Sequence, residues 1–296
     1  GTELADGLAV IRVAGRYATP IPLAEAVLAG LLLSRVGAAV PEGPLTVVPA
    51  RKLGLERDGG GWKLSGSAGQ VPWAGQSKGI VVLASDGAED YIACVDPSAC
   101  DIESGKSIAG EPSDTVTFDG VTLDADAVFP AGDGAGENAI LILGAAIRSL
   151  QMAGALEAIL ELSATYSMDR VQFGRPIAKF QAVQQSLAVV ASEVAAAGMA
   201  AEIAMEAVES GAWLEVAVAK ARVGEAAGKA AELAHQVHGA IGFTHEYNLH
   251  HFTRRLWAWR DDFGGEAYWE GRIGDSIAKA GADELWGIIS GTREAS

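Results

Sequence analysis

A chain of 296 residues that is 49% apolar is long enough to bury one large core or two smaller ones. Its formal charge of −16 disfavours nucleic acid and an anionic membrane as partners. Cys94 and Cys100 form neither a CxxC pair nor a disulfide framework, so we expect free thiols and a cytoplasmic location. The first long apolar run, residues 23–40, contains Glu25 and Arg35, which favours a buried helix over a membrane span.

Two regions of different composition begin the chain. Residues 1–42 are rich in Ala and Leu, and Pro20 and Pro22 precede the apolar run 23–40 as prolines do at helix starts, which predicts an N-terminal helical remnant. Residues 43–133 change to short β-branched runs separated by Gly, Pro, Asp and Ser. They predict a middle β domain, a sandwich or an open barrel, with strands at 45–48, 79–84, 91–95 and 115–119.

Residues 134–296 are predicted to be helical. Within 138–168, polar residues recur at steps of three and four among apolar ones: Arg148, Gln151, Glu157, Glu161 and Thr165. A single polar, solvent-exposed stripe is typical of a helix whose other faces are buried. Further helices are expected over 178–209, from Trp213 to Val237, and as a shorter pair after Asp262. The chain is therefore predicted to be α+β, with an antiparallel four-helix bundle after the β domain.

The stretch from Arg170 to Ile177 joins the first two long bundle helices, and its Gly174 and Pro176 end the first of them. A guanidinium at this position is shaped for phosphate oxygens. The ring of Phe173 is suited to cover a flat heterocycle, and the amide of Gln181 to form a hydrogen bond with it. The same residues also suit a structural role, in which Arg170 caps helix carbonyls and Phe173 belongs to the core.

A second cluster, residues 236–244, ends the third bundle helix. Its glycines expose backbone N–H groups that suit a phosphate or a ring edge, although a helix C-cap has the same appearance. All five histidines lie within seventeen residues, with His235 and His238 on one helical face. No cysteine is near, and the neighbouring acidic residues lack ligand spacing, so no metal site is predicted.

An aromatic segment, Leu256–Trp259, is flanked by arginines and followed by Asp261 and Asp262. Such rings are able to stack on nucleobases, but the acidic charge of the chain argues against a nucleic-acid partner. We expect an interface or core helix with arginine–carboxylate pairs at its rim.

Taken together, the segments 113–121, 166–181 and 236–244 resemble the acyl-CoA dehydrogenase family, and the resemblance extends over nearly the full chain. It implies a helical N-terminal domain, a middle β domain and a C-terminal four-helix bundle. It also implies FAD-dependent desaturation of an acyl-CoA thioester, with a glutamate that removes the α-proton, and an electron-transfer acceptor. The implied FAD contacts are Arg170, Gln172, Phe173, Gln181, Gln236, Gly239 and Ala240.

The chain departs from the family where the catalytic base is expected. Aligning Arg260–Asp261 with the family's Arg-Asp pair puts Trp269 at the position of the glutamate. The position that some relatives use instead, early in the first bundle helix, falls on Gly144. The family's flavin-facing strand is replaced by Gly69–Ala74, in which Pro72 removes a backbone donor. No catalytic residue is therefore predicted in this chain.

In the family's oligomers the retained motifs contact a neighbour's FAD, whereas the missing residues serve the chain's own active site. The chain thus resembles the smaller, catalytically incomplete subunit of the α2β2 enzymes of actinobacterial steroid side-chain breakdown. A larger homologous subunit then supplies the base, and a steroid CoA thioester is the substrate that the resemblance suggests. Two alternatives stay open: a self-sufficient dehydrogenase that uses Glu266 or Glu270, and a flavin-free structural subunit.

Overall fold

The computed structural model describes residues 4–290, apart from the side chains of residues 50 and 51. These residues form two compact units, one of residues 19–147 and one of residues 4–18 with 148–290. The predicted 1–42 region is divided between them, because α1 (Leu4–Arg16) belongs to the second unit and α2 (Leu23–Arg35) to the first. Residues 1–3 and 291–296 of the predicted end regions lie outside the described residues.

The first unit contains a seven-stranded sheet in the order β5-β6-β2-β1-β3-β4-β7, and also the short helix α3 (Gly132–Ala135). Its strands are β1 (Leu45–Asp58), β2 (Gly61–Pro72), β3 (Gly79–Ser85), β4 (Asp90–Val95), β5 (Asp101–Glu103), β6 (Ser113–Leu123) and β7 (Val128–Pro130). All neighbours are antiparallel except β1 and β3. Register shifts in the β1–β3 and β2–β6 pairs interrupt the ladders, and bulges of this kind bend strands. Within the described residues the end strands are not paired with each other, so the predicted middle β domain is built from one continuous, bent sheet with two free edges.

Alternation of side chains explains the core of this sheet. On β6, Val116, Phe118 and Val121 are buried and alternate with more exposed residues, as the sequence pattern predicts for a half-solvated strand. Trp62 and Leu64 of the partner strand β2 join the same apolar cluster. Strand β2 was not among the predicted strands, because its Gly- and Ser-rich middle hides the alternation.

The second unit is helical. Besides α1 and most of α4 (Glu137–Asp169), it contains α5 (Gln181–Ser210), α6 (Trp213–His238), α7 (Leu249–Asp261), α8 (Glu266–Ala280) and α9 (Leu285–Ile289). The three long helices match their predicted bounds to within a few residues. Helices α4 and α5 are long and apolar enough to cross a membrane by length and composition alone. The apolar window of α4, however, is 94% buried in the structure, as in the core helix of a globular bundle, whereas that of α5 is 44% buried.

The polar stripe of α4 differs from the prediction at its N-terminal end. Arg148 and Gln151 are only 3% and 6% exposed, and Arg148 donates to the Gln151 side chain at 2.6 Å (Nη1–Oε1). Glu157 is half-buried, whereas Glu161 and Thr165 are exposed. Periodicity identifies the polar face of a helix, but it does not show whether water or other polar side chains cover that face.

Helix α1 lies directly against α4 at two glycines. A Cβ added to Gly15 would overlap the backbone carbonyl of Gln151, and one added to Gly154 would overlap that of Arg12. The guanidinium of Arg12 then pairs with Glu157 of α4 at 2.6 Å (Nη2–Oε1). Because glycine has no Cβ, the two backbones come into contact, and the Arg12–Glu157 ion pair lies beside that contact.

Candidate functional site

The predicted arginine turn is a tight hairpin after α4. Strand β8 (Val171–Gln172) pairs with β9 (Arg175–Pro176), and the two residues between them, Phe173 and Gly174, have φ angles of 50° and 77°. Positive φ at both central residues is the geometry of a two-residue hairpin turn. Phe173 is 92% exposed and meets Phe180 edge-on at 6.1 Å between centroids. The structural alternative that placed Phe173 in the core is therefore wrong.

The polar candidates of this hairpin also face solvent. Arg170 is exposed, and its guanidinium forms no hydrogen bond or ion pair with any residue that the structure describes. Its backbone carbonyl accepts from the N–H of Ile177 at 2.8 Å, which closes the base of the hairpin. Gln172 is exposed, with its amide donating to the Val171 carbonyl at 2.9 Å, and Gln181 is exposed at the first position of α5. The hairpin is held by backbone bonds, so these side chains remain available to a ligand.

The second cluster forms a 3-10 turn, Gly239–Phe243, at the end of α6. Gly239 has a φ of 65°, a left-handed conformation that favours glycine. Gln236, Gly239 and Ala240 are all exposed. Gly242 is buried instead, and a Cβ there would come within 3.0 Å of the His238 Cβ and 3.2 Å of the ring nitrogen Nδ1 of His235. The turn therefore packs against the side chains of His235 and His238, and its first residues face solvent.

Tyr166 of α4 joins the two clusters. Its hydroxyl donates to the backbone carbonyl of His238 at 3.2 Å, and its ring stacks on that imidazole with centroids 4.5 Å apart. Tyr247 packs against both rings. Because Tyr166 precedes Arg170 by one helical turn, the hairpin and the 3-10 turn lie at the same end of the bundle. Tyr166 is not among the site residues predicted from the sequence, although its spacing of four residues from Arg170 is a signal that the sequence contains.

Burial favours the neutral form of the two histidines His235 and His238 of α6. His238 donates from Nδ1 to the Ala234 carbonyl at 2.7 Å, and Nε2 of His235 bonds to the Thr253 hydroxyl at 3.0 Å. Their other ring nitrogens have no hydrogen-bond partner among the residues that the structure describes. Burial lowers the pKa of both imidazoles below the ordinary 6.5. Within the described part of the chain, no three His, Cys, Asp or Glu side chains are arranged to hold a metal ion.

The two alternative bases have different surroundings. Glu266 accepts from Arg260 at 2.6 Å (Oε1–Nε), and its carboxylate fills the space beside Gly224, where a Cβ would overlap it. Glu270 is exposed. Trp269, which the sequence alignment puts at the position of the family's glutamate, is fully buried and donates its indole N–H to a backbone carbonyl at 3.1 Å. One alternative base is thus held by an arginine, and the other lies in water.

Two buried cations fix the α7–α8 connection, residues 260–266. Arg148 donates to Asp262 at 2.9 Å (Nε–Oδ2). Lys220 is 1% exposed and donates from Nζ to the backbone carbonyls of Arg260 and Gly264 at 2.7 and 2.8 Å. Burial lowers the pKa of Lys220 to about 8. Sequence reasoning missed this lysine, whose only local signal was its position on the Ala-rich buried face of α6.

This chain is similar in sequence to proteins of known family. Residues 139–260 match the family model described as acyl-CoA dehydrogenase, C-terminal domain. The chain is 29% identical to the acyl-CoA dehydrogenase FadE34 of Mycobacterium tuberculosis over 97% of this chain, and it spans only 40% of FadE34. It is 26% identical to the acyl-CoA dehydrogenase IpdE2 of Mycolicibacterium smegmatis, over 86% of this chain and 73% of IpdE2.

Solved structures share the fold. A chain of the ChsE4-ChsE5 complex from Mycobacterium tuberculosis superposes with a TM-score of 0.87 at 23% identity, covering 95% of this chain and 82% of that one. A variant of the Tcur3481-Tcur3483 steroid ACAD gives a TM-score of 0.84 at 25% identity, with coverages of 94% and 81%. These matches confirm the predicted helical end regions and middle sheet domain. Residues 139–260 thus belong to the acyl-CoA dehydrogenase C-terminal domain family, and the chain as a whole is similar in sequence to curated acyl-CoA dehydrogenases.

Proposed function

We propose that this chain is a flavin-contacting subunit of a two-subunit acyl-CoA dehydrogenase, which desaturates an acyl-CoA thioester, and that it lacks the catalytic base. One contrast carries the proposal. The predicted FAD contacts are exposed at one end of the bundle, whereas the carboxylates around the α7–α8 connection are held by arginines or surrounded by water. A general base must reach the proton it removes and must have a pKa suited to removing it.

The exposed residues fit the pyrophosphate and adenine side of FAD. The guanidinium of Arg170 offers a planar set of donors to phosphate oxygens. The backbone beside Gly239 is open, because nothing lies within 4 Å of a Cβ built there. Phe173 presents an uncovered ring to a flat heterocycle. This open patch supports a dinucleotide that is held between this chain and a second subunit.

Bound FAD supplies the hydride acceptor of the reaction. This chain contributes binding and orientation: Arg170 balances phosphate charge, Phe173 covers a ring, and Gln236 with the Gly239–Ala240 backbone fixes the direction of the dinucleotide. The α-proton of the thioester is removed by a residue of the partner. Glu266 and Glu270 of this chain take no part in that transfer.

The partner is proposed to be a larger homologous acyl-CoA dehydrogenase subunit in an α2β2 assembly. One structural neighbour is named as the ChsE4-ChsE5 complex, and another, Tcur3481-Tcur3483, has a name of two components and is described as a steroid ACAD. On that similarity we propose a steroid CoA thioester as the substrate class. An electron-transfer protein as acceptor and a cytoplasmic location complete the proposal.

Co-expression with a larger acyl-CoA dehydrogenase homologue from the same organism tests the assignment. We expect a complex with about two FAD molecules per four chains, measured by native mass and flavin absorbance. Arg170→Ala should lower the FAD content by about tenfold or more, since a charge-assisted contact to phosphate is lost. Lys179→Ala, an exposed cation after the same hairpin, is the matched control and should retain FAD.

Two outcomes contradict the proposal in different ways. If the isolated chain binds FAD and reduces an electron acceptor with an acyl-CoA, it is a self-sufficient enzyme. If Arg170→Ala leaves the FAD content of the complex unchanged, the chain is a structural subunit.

A further inference from the structure

A cleft of about 390 Å³ lies between α6 and α7 of the bundle unit. Three of its lining side chains are rings in nearly parallel planes. His235 stacks with Phe243 at 4.1 Å and 19°, and with Trp257 at 5.8 Å and 17°. The full lining is Gly228, Glu232, His235, Gln236, Phe243 and Trp257.

This aromatic wall is fixed and partly uncovered. The imidazole of His235 is held by Thr253 at 3.0 Å and is buried beneath the other two rings. Phe243 is 69% exposed, and Trp257 is half-buried. Aromatic side chains left in contact with water on a rigid support are typical of protein interaction surfaces.

The rim of the cleft is acidic. Glu232 is exposed and forms no ion pair with the residues that the structure describes, while its neighbour Lys229 is paired with Glu193 at 2.9 Å. The cation at the Gly228 end, Arg260, is engaged by a carboxylate of α8. Since burial lowers the pKa of His235, the cleft offers ring faces and a carboxylate, and none of its described lining residues is a lysine or an arginine. A guanidinium suits both, because it stacks on aromatic faces and pairs with carboxylates.

We propose that the cleft receives an arginine side chain of the partner subunit, which stacks on Phe243 and Trp257 and pairs with Glu232. This inference rests on the proposed function, because it takes the second subunit as the source of the arginine. A second copy of this chain is a less suitable source, because its formal charge of −16 makes an unpaired arginine on its surface less available than on a partner of other charge. Lysine has no planar face to stack, whereas arginines packed on tryptophans are common centres of interface affinity.

Substitutions at the rim test the proposal in the co-expressed complex. We expect Glu232→Gln to weaken the association of the two subunits by about tenfold and to reduce its salt dependence. Glu225→Gln is the matched control, because Glu225 is exposed on the same helix and, among the described residues, forms an ion pair with Arg222 alone, at 3.4 Å. The control should associate as tightly as the unaltered chain.

A cross-link identifies the occupant. With p-benzoylphenylalanine in place of Phe243, light should attach this chain to a partner peptide that contains an arginine. Replacing that arginine by lysine should weaken the complex as much as Glu232→Gln does, and combining the two changes should add little. A cross-link to a second copy of this chain, to a peptide without arginine or to a bound small molecule overturns the inference.

The two proposals fail in distinguishable ways. If no two-subunit complex forms, both are wrong. If the complex forms and holds FAD, but Glu232→Gln associates as tightly as the Glu225→Gln control, only the cleft inference is wrong.

Discussion

The hairpin at 170–177 and the α7–α8 connection at 260–266 both combine arginine with aromatic residues, yet the structure treats these side chains in opposite ways. In the hairpin, Arg170 and Phe173 are exposed, and backbone bonds hold the turn. In the connection, Arg260 is committed to Glu266, and Lys220 is committed to two carbonyls. Exposed side chains with unused donors on a backbone-held turn are free to meet a ligand, whereas cations already paired within the bundle stabilise the fold.

The largest effect that separates the two regions is expected from Lys220→Met. The change removes the donor from the backbone carbonyls of Arg260 and Gly264, and an unsatisfied buried acceptor costs about 1–3 kcal/mol. We expect the free energy of unfolding, measured with urea, to fall by roughly 2–4 kcal/mol. Lys229→Met removes an exposed lysine from the buried Glu193, which keeps its ion pair with Arg222, and should cost less than about 1 kcal/mol. Equal losses in the two variants would show that Lys220 does not fix the connection.

Acid is expected to lower the stability of the helical unit through His235 and His238, which lie behind the exposed clusters. Because burial lowers the pKa of His235 and His238, the unfolded chain takes up protons that the folded chain does not as the pH falls through 6.5. Their contribution to stability is therefore present above pH 6.5 and is lost as the pH falls through the lowered values. The Tm should drop between about pH 7.5 and 5.5. His238→Phe keeps an aromatic stack with Tyr166 without the titration and should drop less; an equal drop would exclude His238 as a source.

Phe173→Gly is expected to separate stability from flavin binding. Phe173 has a φ of 50°, a conformation that costs a non-glycine residue about 1–2 kcal/mol, so the variant should be as stable as the original or more stable by up to about 1 kcal/mol. In the two-subunit complex it should nevertheless lose FAD severalfold, because the ring that covers the heterocycle is gone. A parallel loss of stability and FAD would mean that Phe173 is a packing residue. Phe173→Ala, which keeps the strained backbone, serves as the control for the ring alone.

The smallest effects are expected from the two alternative bases. Glu270→Gln changes an exposed side chain and should leave kcat of the complex within about twofold. Glu266→Gln should also keep kcat within about twofold, with a loss of stability near 1 kcal/mol from its pair with Arg260. A fall in kcat of about a hundredfold or more in either variant would identify a base in this chain and contradict the proposed division of labour.

Local patterns predicted much of this molecule. The bounds of α4, α5 and α6 follow from polar residues at helical spacing and from glycine and proline at the ends, because these features act within a few residues of one another. Gly239 and Ala240 are exposed, as expected for residues at the helix end that the glycines predict. The flavin roles themselves came from resemblance and stay predictions.

The unpredicted features depend on partners that are distant in the sequence. Lys220 meets carbonyls that lie forty or more residues later, and Tyr166 meets His238 across 72 residues. Arg148 belongs to a stripe that was interpreted as wet, yet Asp262 of a later segment helps to cover it. Periodicity describes one element at a time, so it is silent on such pairs.

The glycine contact between α1 and α4 limits the substitutions that this sequence can accept. At Gly15 and Gly154 even one methyl group would push the two backbones apart, so neither position accepts alanine unless the first helix moves away. Helix α1 therefore packs against α4 with the two backbones in contact. Any variant in which α1 is shortened or replaced is subject to the same limit on side-chain size at these two positions.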